Sequence, residues 1–222
     1  MRLTVAVTAV AVCMALRVPA LPIVEMQTGR TAQAGDCVAI GTPKPGVSYH
    51  YSRTQSNGGT THTSHQWESV TPSGSRLKAV GAAGPQIQVN EHTVVDDVAV
   101  LTRTSRQSAA GAVLESTSFA PDIPTEPIFR ACTGRSWAIP AATATFQAQQ
   151  KRATAQGPAG SLKIVSIRER ITVPAGTFET VRYIRSSQSN DEYWKSIEHG
   201  VMVKHIATLT GITITETLTA IK

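Results

Sequence analysis

The sequence predicts an all-β protein, a strongly curved antiparallel meander sheet that forms a half-barrel or open barrel. Turn residues recur about every 8–12 positions, which is typical of all-β folds. The final strands alternate apolar residues with threonine, as strands with one dry and one wet face do. Beyond the N-terminal segment, no stretch carries an amphipathic helical repeat. The 222 residues are enough to bury a real core.

The clearest predicted element is a β-hairpin in the last third of the chain. Residues 163–173 and 179–185 are rich in β-branched and aromatic side chains, and Pro174-Ala175-Gly176 between them is turn chemistry. Residues 201–209 and 212–219 alternate most regularly and predict two further strands.

The first half of the chain predicts a succession of shorter strands. Residues 47–53 and 60–70 flank Asn57-Gly58-Gly59, a strong hairpin signal. Residues 121–134 contain three prolines, and we expect them to be the longest irregular connection, near the midpoint. The composition of residues 141–155 permits either strand or helix. The remaining strands are predicted at 76–80, 86–95, 98–106 and 113–119.

The first 34 residues are interpreted as a signal peptide. Arg2 precedes an apolar run over 3–16 that is too short to span a bilayer. The Ala-Gln-Ala pattern ending at Ala34 predicts cleavage there, which leaves residues 35–222 as a single all-β domain. Cleavage after Ala20 and an uncleaved anchor are the alternatives. We expect a periplasmic or secreted protein with no transmembrane span after processing.

The charges exclude one class of partner. The formal net charge is +6, but the basic residues are scattered and form no basic-aromatic ribbon. Nucleic acid is therefore not an expected partner.

Two cysteines remain after the predicted leader is removed, Cys37 and Cys132. An even pair in an exported chain predicts a disulfide, with free thiols as the alternative. No cofactor or metal site is expected. His62 and His65 lie three apart on a predicted strand, so they point to opposite faces, and we interpret them as exposed sheet histidines.

The sequence lacks a recognisable catalytic constellation. It has no nucleophile elbow and no phosphate-binding loop followed by a helix, so no catalytic residues are assigned. Glu169 and Glu179 flank the predicted hairpin, where cross-strand pairing with an arginine (Arg168, Arg170 or Arg182) is favoured over an acid/base dyad.

Aromatic residues on several predicted strands are the candidate ligand-binding residues: Tyr49, Tyr51, Trp67, Tyr183 and Trp194. Core filling is the alternative. The leading hypothesis is a non-enzymatic exported protein that binds an apolar or amphipathic ligand, such as a lipid, or an envelope component on its concave face. A structural or protein-interaction module of the cell envelope and a hydrolase with an unrecognised site are the alternatives.

The hairpin motif Val173-Pro174-Ala175-Gly176-Thr177-Phe178, the later Trp194 and the strand Gly200-Val201-Met202-Val203-Lys204 resemble a group of bacterial exported proteins of unknown function, the TapB-like proteins. The resemblance also includes Gly134-Arg135-Ser136-Trp137 and an opening Gly46-Val47-Ser48-Tyr49-His50-Tyr51. It implies a curved antiparallel sheet outside the cytosol, similar in outline to half-barrel carriers of lipids and lipoproteins. Such a family brings no catalytic residues. After the tryptophan this chain departs from the pattern, with Lys195 and Ile197 where an aromatic residue and a proline are common.

Overall fold

The computed structural model describes residues 35–81, 87–187 and 189–222. Within these ranges the chain forms sixteen strands and no helix, which confirms the all-β prediction. In chain order the strands are β1 (Cys37–Ala39), β2 (Ser48–Gln55), β3 (Thr60–Thr71), β4 (Gly74–Gly81), β5 (Ile87–Val95), β6 (Val98–Gln107), β7 (Val113–Pro127), β8 (Arg130–Cys132), β9 (Ser136–Ile139), β10 (Thr143–Ala148), β11 (Lys151–Gln156), β12 (Gly160–Val173), β13 (Gly176–Ser186), β14 (Asn190–Ser196), β15 (Met202–Leu209) and β16 (Ile212–Ile221). The predicted signal peptide lies outside the described residues.

Fourteen of the strands form one antiparallel sheet in the order β11-β10-β7-β6-β5-β4-β3-β2-β16-β15-β14-β13-β12-β9. Chain neighbours pair along β2 to β7 and along β12 to β16, which is the predicted meander. Strand β16 pairs with β2 and so joins the two series. The sheet is open, with β11 at one edge and β9 at the other. The small strands β1 and β8 pair separately.

The prediction of an irregular connection over residues 121–134 is wrong. Strand β7 continues to Pro127, so all three prolines of that segment lie within a strand. The reason is that β7 has two partners only as far as Ala120, where its pairing with β10 ends. Beyond that residue it pairs with β6 alone, and an edge position tolerates residues that lack a backbone N–H. The segment at 141–155, which permitted helix or strand, forms β10 and β11.

The predicted hairpin is confirmed as β12 and β13, and it is strongly bent. Register shifts interrupt β12 between Ile164 and Ser166 and again between Ile167 and Glu169. Bulges of this kind bend a strand and increase its twist. The hairpin tip consequently lies against a strand to which β12 is not paired, and Ala175 donates its backbone N–H to the Leu218 carbonyl at 3.3 Å.

Two clusters of buried side chains form the core. One joins strands from distant parts of the sheet, since Val98 of β6 packs in it with Leu162 of β12 and Tyr183 of β13. The other surrounds the hairpin tip and includes Tyr51 and Leu218. The face that carries these residues is called the inner face below, because it encloses both clusters.

The chain entering β2 crosses closely over the turn between β14 and β15. Gly41 donates its backbone N–H to the Ile197 carbonyl at 2.6 Å. Gly200 in that turn has a φ of +63°, and a Cβ there would clash with the Gly41 carbonyl. Only glycine satisfies both constraints at this position.

Candidate functional site

One row of directly paired residues crosses the inner face from β13 to β2 and carries polar and aromatic side chains. Tyr183 pairs with Tyr193, Tyr193 with His205, His205 with Glu216, and Glu216 with Arg53. Residues directly opposite one another in antiparallel strands project from the same face. That face is the inner one, because Tyr183 belongs to a core cluster.

The first three residues of this row form a stack of rings. The Tyr183 and Tyr193 centroids lie 4.9 Å apart with planes inclined by 8°, and those of Tyr193 and His205 lie 4.2 Å apart with planes inclined by 4°. Burial raises the pKa of both tyrosines above its ordinary value. Both phenols are therefore neutral, and Tyr193 donates a hydrogen bond to Asp191 Oδ2 at 3.3 Å.

His205 and Glu216 occupy the middle of the row and are partly accessible, with side chains 16% and 14% exposed. His205 Nδ1 lies 3.8 Å from Glu216 Oε2, and Thr63 donates its hydroxyl to Glu216 Oε1 at 3.3 Å. Burial opposes ionisation of this carboxyl. The imidazole of His205 and the guanidinium charge of Arg53 are among the neighbours that outweigh burial and lower the pKa of Glu216. Glu216 is therefore ionised at neutral pH.

Three nitrogen atoms beside this row are buried and have no hydrogen-bond partner: Nε of Arg53, Nε of Arg185 and Nε2 of His205. Arg185 lies two residues after Tyr183 on β13 and shares its face. Among the described residues, Arg182 forms ion pairs with Glu169 and Glu192, whereas Arg53 and Arg185 form none. We call Arg53, Arg185, Tyr193, His205 and Glu216 the polar wall.

A second charged feature lies deeper in the interior. Lys195 of β14 is 1% exposed, and its Nζ lies 2.7 Å from Glu126 Oε2 on β7. These strands are far apart in the order of the sheet, so the ion pair spans the interior. In this short contact each partner neutralises the charge of the other, whereas either partner alone would be an isolated buried charge.

Two imidazoles lie near this ion pair. His65 packs against the Tyr51 ring with centroids 4.6 Å apart. Burial lowers the pKa of His65, while the charge of Glu126 opposes this shift. Burial also lowers the pKa of His92, and there Glu126 and Lys195 act in opposite directions. Both imidazoles are therefore neutral at neutral pH.

The predicted pair of exposed histidines is half right. His62 is exposed, and His65 points to the opposite face, as the three-residue spacing requires. His65 is wrongly predicted as exposed, because that opposite face is the inner one. In the described part of the chain, no three or more His, Cys, Asp or Glu side chains lie where they could hold a metal ion together.

The five aromatic residues predicted to bind a ligand are all nearly buried: Tyr49 and Tyr51 (2% exposed), Tyr183 (3%), Trp67 (5%) and Trp194 (7%). They are not brought together, since Tyr183 lies in one core cluster and the other four lie in the second. Two of these residues, Tyr51 and Trp194, donate hydrogen bonds to other protein groups. The Tyr51 hydroxyl donates to the Met202 carbonyl at 3.0 Å, and Trp194 Nε1 donates to Glu169 Oε2 at 2.9 Å. A ligand-contacting role for these five residues stays a prediction.

Two other sequence-based predictions are confirmed. Cys37 and Cys132 form a disulfide between directly paired residues of β1 and β8, with Cα atoms 4.0 Å apart. Glu179 pairs with Arg168 at 3.2 Å, the cross-strand arrangement expected beside the hairpin.

Sequence reasoning missed most of the polar wall. Alternation over 201–209 places His205 on the face of Val203, and alternation over 212–219 places Glu216 on the face of Ile212, Ile214 and Leu218, but neither polar residue is among the predicted site residues. That alternation was the available signal, since it places a carboxylate on an otherwise apolar face. Glu126 lay in the segment expected to be irregular, so no face could be assigned to it.

Comparisons with known proteins find similarity among solved structures only. No family model matches the chain, and no curated protein matches it. A crystal structure of a β-barrel-like protein of domain of unknown function DUF1849 from Brucella abortus is similar, with a TM-score of 0.41 and 8% sequence identity. The match covers 83% of this chain and 99% of that one. The resemblance to the TapB-like proteins stays a prediction. No helix among the described residues is long and apolar enough to cross a membrane.

Proposed function

We propose that this chain is an exported, non-enzymatic β protein that holds an amphipathic ligand against the inner face of its curved sheet. The observation that carries the proposal is the change from apolar to polar side chains along that face. It occurs at one level of the sheet on three adjacent strands.

Each of the three strands makes the same change over two residues. On β15, Val203 is 0% exposed and His205 follows on the same face. On β16, Leu218 is 0% exposed and Glu216 precedes it. On β2, Tyr51 is 2% exposed and half-buried Arg53 follows. An amphipathic molecule presents the complementary pair of surfaces, an apolar body and a polar end.

The polar side chains also lower the stability of the inner face if it serves only as a structural core. Burying a polar group without a partner lowers stability, so such a group in a folded protein calls for an explanation. Arg53 and Arg185 each bury an unpartnered Nε there. A bound ligand that supplied partners would remove this cost.

The chemistry of the polar wall favours binding over catalysis. His205 lies against Glu216 and Tyr193, and among the described residues no serine or cysteine side chain is hydrogen-bonded to it, so the Ser–His or Cys–His pair of many hydrolases is not formed here. Thr63, the hydroxyl at this position, donates to Glu216 instead. These contacts support a carrier or binding protein more than a hydrolase.

Export is part of the proposal and is supported by the cysteines. Disulfides persist mainly in oxidising compartments outside the cytosol. The Cys37–Cys132 bond joins β1, near the start of the proposed mature chain, to β8. The apolar segment at residues 3–16 supplies the expected signal.

Native mass spectrometry of the mature protein, purified after export from a bacterial host, tests the proposal. We expect a second mass that remains bound under gentle ionisation and is released by denaturation. The same protein stripped by unfolding and refolding is the control, and it is expected to regain the mass from a lipid extract. Protein that stays bare through both procedures would contradict the proposal.

A second candidate function, a protein-interaction module, is favoured by the edge of the sheet. All six residues of β11 are exposed, and this strand has a partner on one side only. An exposed edge accepts an additional strand from another chain. Crosslinking through a cysteine placed at Thr154 tests it, since an edge partner would be captured and a ligand carrier would yield none.

A further inference from the structure

We infer that the polar end of the ligand is an oxyanion, a carboxylate or a phosphate, bound at the polar wall by Arg53 and His205. This inference rests on the proposed function and adds to it the chemistry of the ligand and the place where it binds. It follows from an imbalance between hydrogen-bond donors and acceptors at the wall.

The acceptors of the wall already have partners. Glu216 Oε1 accepts from Thr63, and Glu216 Oε2 faces His205. Asp191, beside the wall, accepts from Ser189 at 2.6 Å and from Tyr193 at 3.3 Å. A ligand therefore finds few free acceptors here.

Three donor nitrogen atoms of the wall, by contrast, have no partner. The Nε atoms of Arg53 and Arg185 are buried and unpartnered, and a guanidinium can only donate. His205 Nε2 is also unpartnered, while Nδ1 of the same ring faces Glu216. The missing complement is a group rich in acceptor oxygens. Carboxylates and phosphates are the usual partners of arginine and form its strongest hydrogen bonds.

The local potential also favours an anion. Glu216 stays ionised although it is largely buried, because positive neighbours outweigh the loss of solvation. The charge of Arg53 contributes to this shift, although the Arg53 and Glu216 side chains form no ion pair. A bound oxyanion accepts from the Arg53 Nε–H, which Glu216 leaves without a partner.

The strand register sets the spacing of the two proposed contacts. Arg53 and His205 lie on either side of Glu216, which places their backbones roughly 10 Å apart because neighbouring strands are about 4.8 Å apart. Both side chains point from the same face, so an oxyanion between them contacts both. An apolar chain then continues toward Val203 and Leu218, the neighbouring residues on the same face.

The anion can come from a lipid head group or from a free anion, and the test separates them. Mature protein stripped of bound molecules is titrated with three probes, a long-chain fatty acid, the fatty alcohol of the same length, and inorganic phosphate. We expect the fatty acid to bind roughly 10- to 100-fold more tightly than the alcohol, the range for one charge-assisted contact. If inorganic phosphate binds as tightly as the fatty acid, the anion site stands and its ligand is a free anion.

Substitution of the proposed contact completes the test. Arg53→Gln should abolish the preference for the acid over the alcohol, and Arg53→Lys should keep part of it. Arg152→Gln removes the same charge from exposed strand β11 and is the matched control, with no expected effect. A thermal melt of each variant shows that the fold is retained.

The outcomes distinguish the inference from the function it rests on. Equal binding of acid and alcohol by the wild type, unchanged by Arg53→Gln, would overturn the oxyanion site and leave the carrier function in place. Failure of the acid, the alcohol and phosphate alike to bind would overturn both.

Discussion

Two regions of the molecule differ in how completely their side chains are partnered. The closure region consists of the Glu126–Lys195 ion pair together with the Cys37–Cys132 disulfide. Each group in it has its partner in the protein, and Lys195 is 1% exposed. The polar wall keeps unpartnered nitrogen atoms on Arg53, Arg185 and His205, and its middle residues are partly accessible.

The difference assigns separate tasks to the two regions. The Glu126–Lys195 ion pair links β7 with β14 and so holds distant strands of an open sheet together. A row of donors without partners adds little to stability and is suited to receive a ligand. Substitutions should therefore affect stability in the closure region and binding at the polar wall.

The largest expected effect comes from removing the disulfide. The bond joins residues 95 apart in the chain. By the chain-entropy model a loop of this size contributes roughly 4–5 kcal/mol. Urea denaturation of the mature protein should show a lower midpoint with dithiothreitol than without. In the Cys37→Ser/Cys132→Ser double variant dithiothreitol should have no effect. Identical midpoints for the wild type would contradict a role of the bond in stability.

The next effect comes from breaking the buried ion pair. Glu126→Gln leaves Lys195 charged and isolated in the interior, which should lower the free energy of unfolding by about 3–5 kcal/mol. Adding Lys195→Met should recover most of that loss, because the unpaired charge is then absent. The control is Glu179→Gln, whose side chain is 47% exposed in its pair with Arg168 and which should cost less than about 1 kcal/mol. Equal losses for Glu126→Gln and Glu179→Gln would show that burial of the pair is unimportant.

Lowering the pH should destabilise the buried histidines of the interior at a higher pH than it affects Glu216 of the polar wall. Burial lowers the pKa of His65 and His92 below the ordinary value of 6.5. The folded state then binds fewer protons than the unfolded chain, so stability is lost as the pH falls from about 7 toward the folded-state pKa values. Glu216 also has a lowered pKa, but its contribution is lost only below the ordinary carboxyl value of 4.5.

Thermal melts between pH 8 and pH 5 measure this loss. His65→Gln should reduce the pH dependence, whereas His62→Gln, which changes an exposed histidine on the same strand, should leave it unchanged. A melting temperature that is constant over this range would contradict neutral buried imidazoles.

The smallest effect on stability is expected at the polar wall. Arg53→Gln removes a guanidinium that has no ion pair among the described residues, so the free energy of unfolding should change by less than about 1 kcal/mol. Chemical denaturation of the stripped protein measures it. A loss as large as that of Glu126→Gln would remove the distinction between the two regions.

Local sequence patterns were sufficient for most of the strands. The hairpin of β12 and β13 was predicted because Pro174-Ala175-Gly176 specifies its own turn. Strands β15 and β16 were predicted because their alternation is regular. Such signals lie within a few residues of one another, and they do not depend on how the strands are later arranged.

The polar wall could not be predicted in the same way. It joins residues of β2, β13, β14, β15 and β16, and β2 becomes a neighbour of β16 only through pairing between the two ends of the chain. No local pattern specifies that contact. The Glu126–Lys195 pair depends similarly on the continuation of β7 through its prolines, which composition alone argued against. Residues that looked functional because they were aromatic, such as Tyr49 and Trp67, lie in the core instead.

Hydrogen exchange of the stripped mature protein, measured with and without a saturating long-chain fatty acid, shows where the ligand binds. We expect slower exchange in β2, β15 and β16, which carry Arg53, His205 and Glu216, and unchanged exchange in β1 and β8 of the closure region. The exposed edge strand β11 should also be unchanged. Protection confined to β11, or exchange that is the same everywhere with and without the acid, would contradict a ligand site on the inner face.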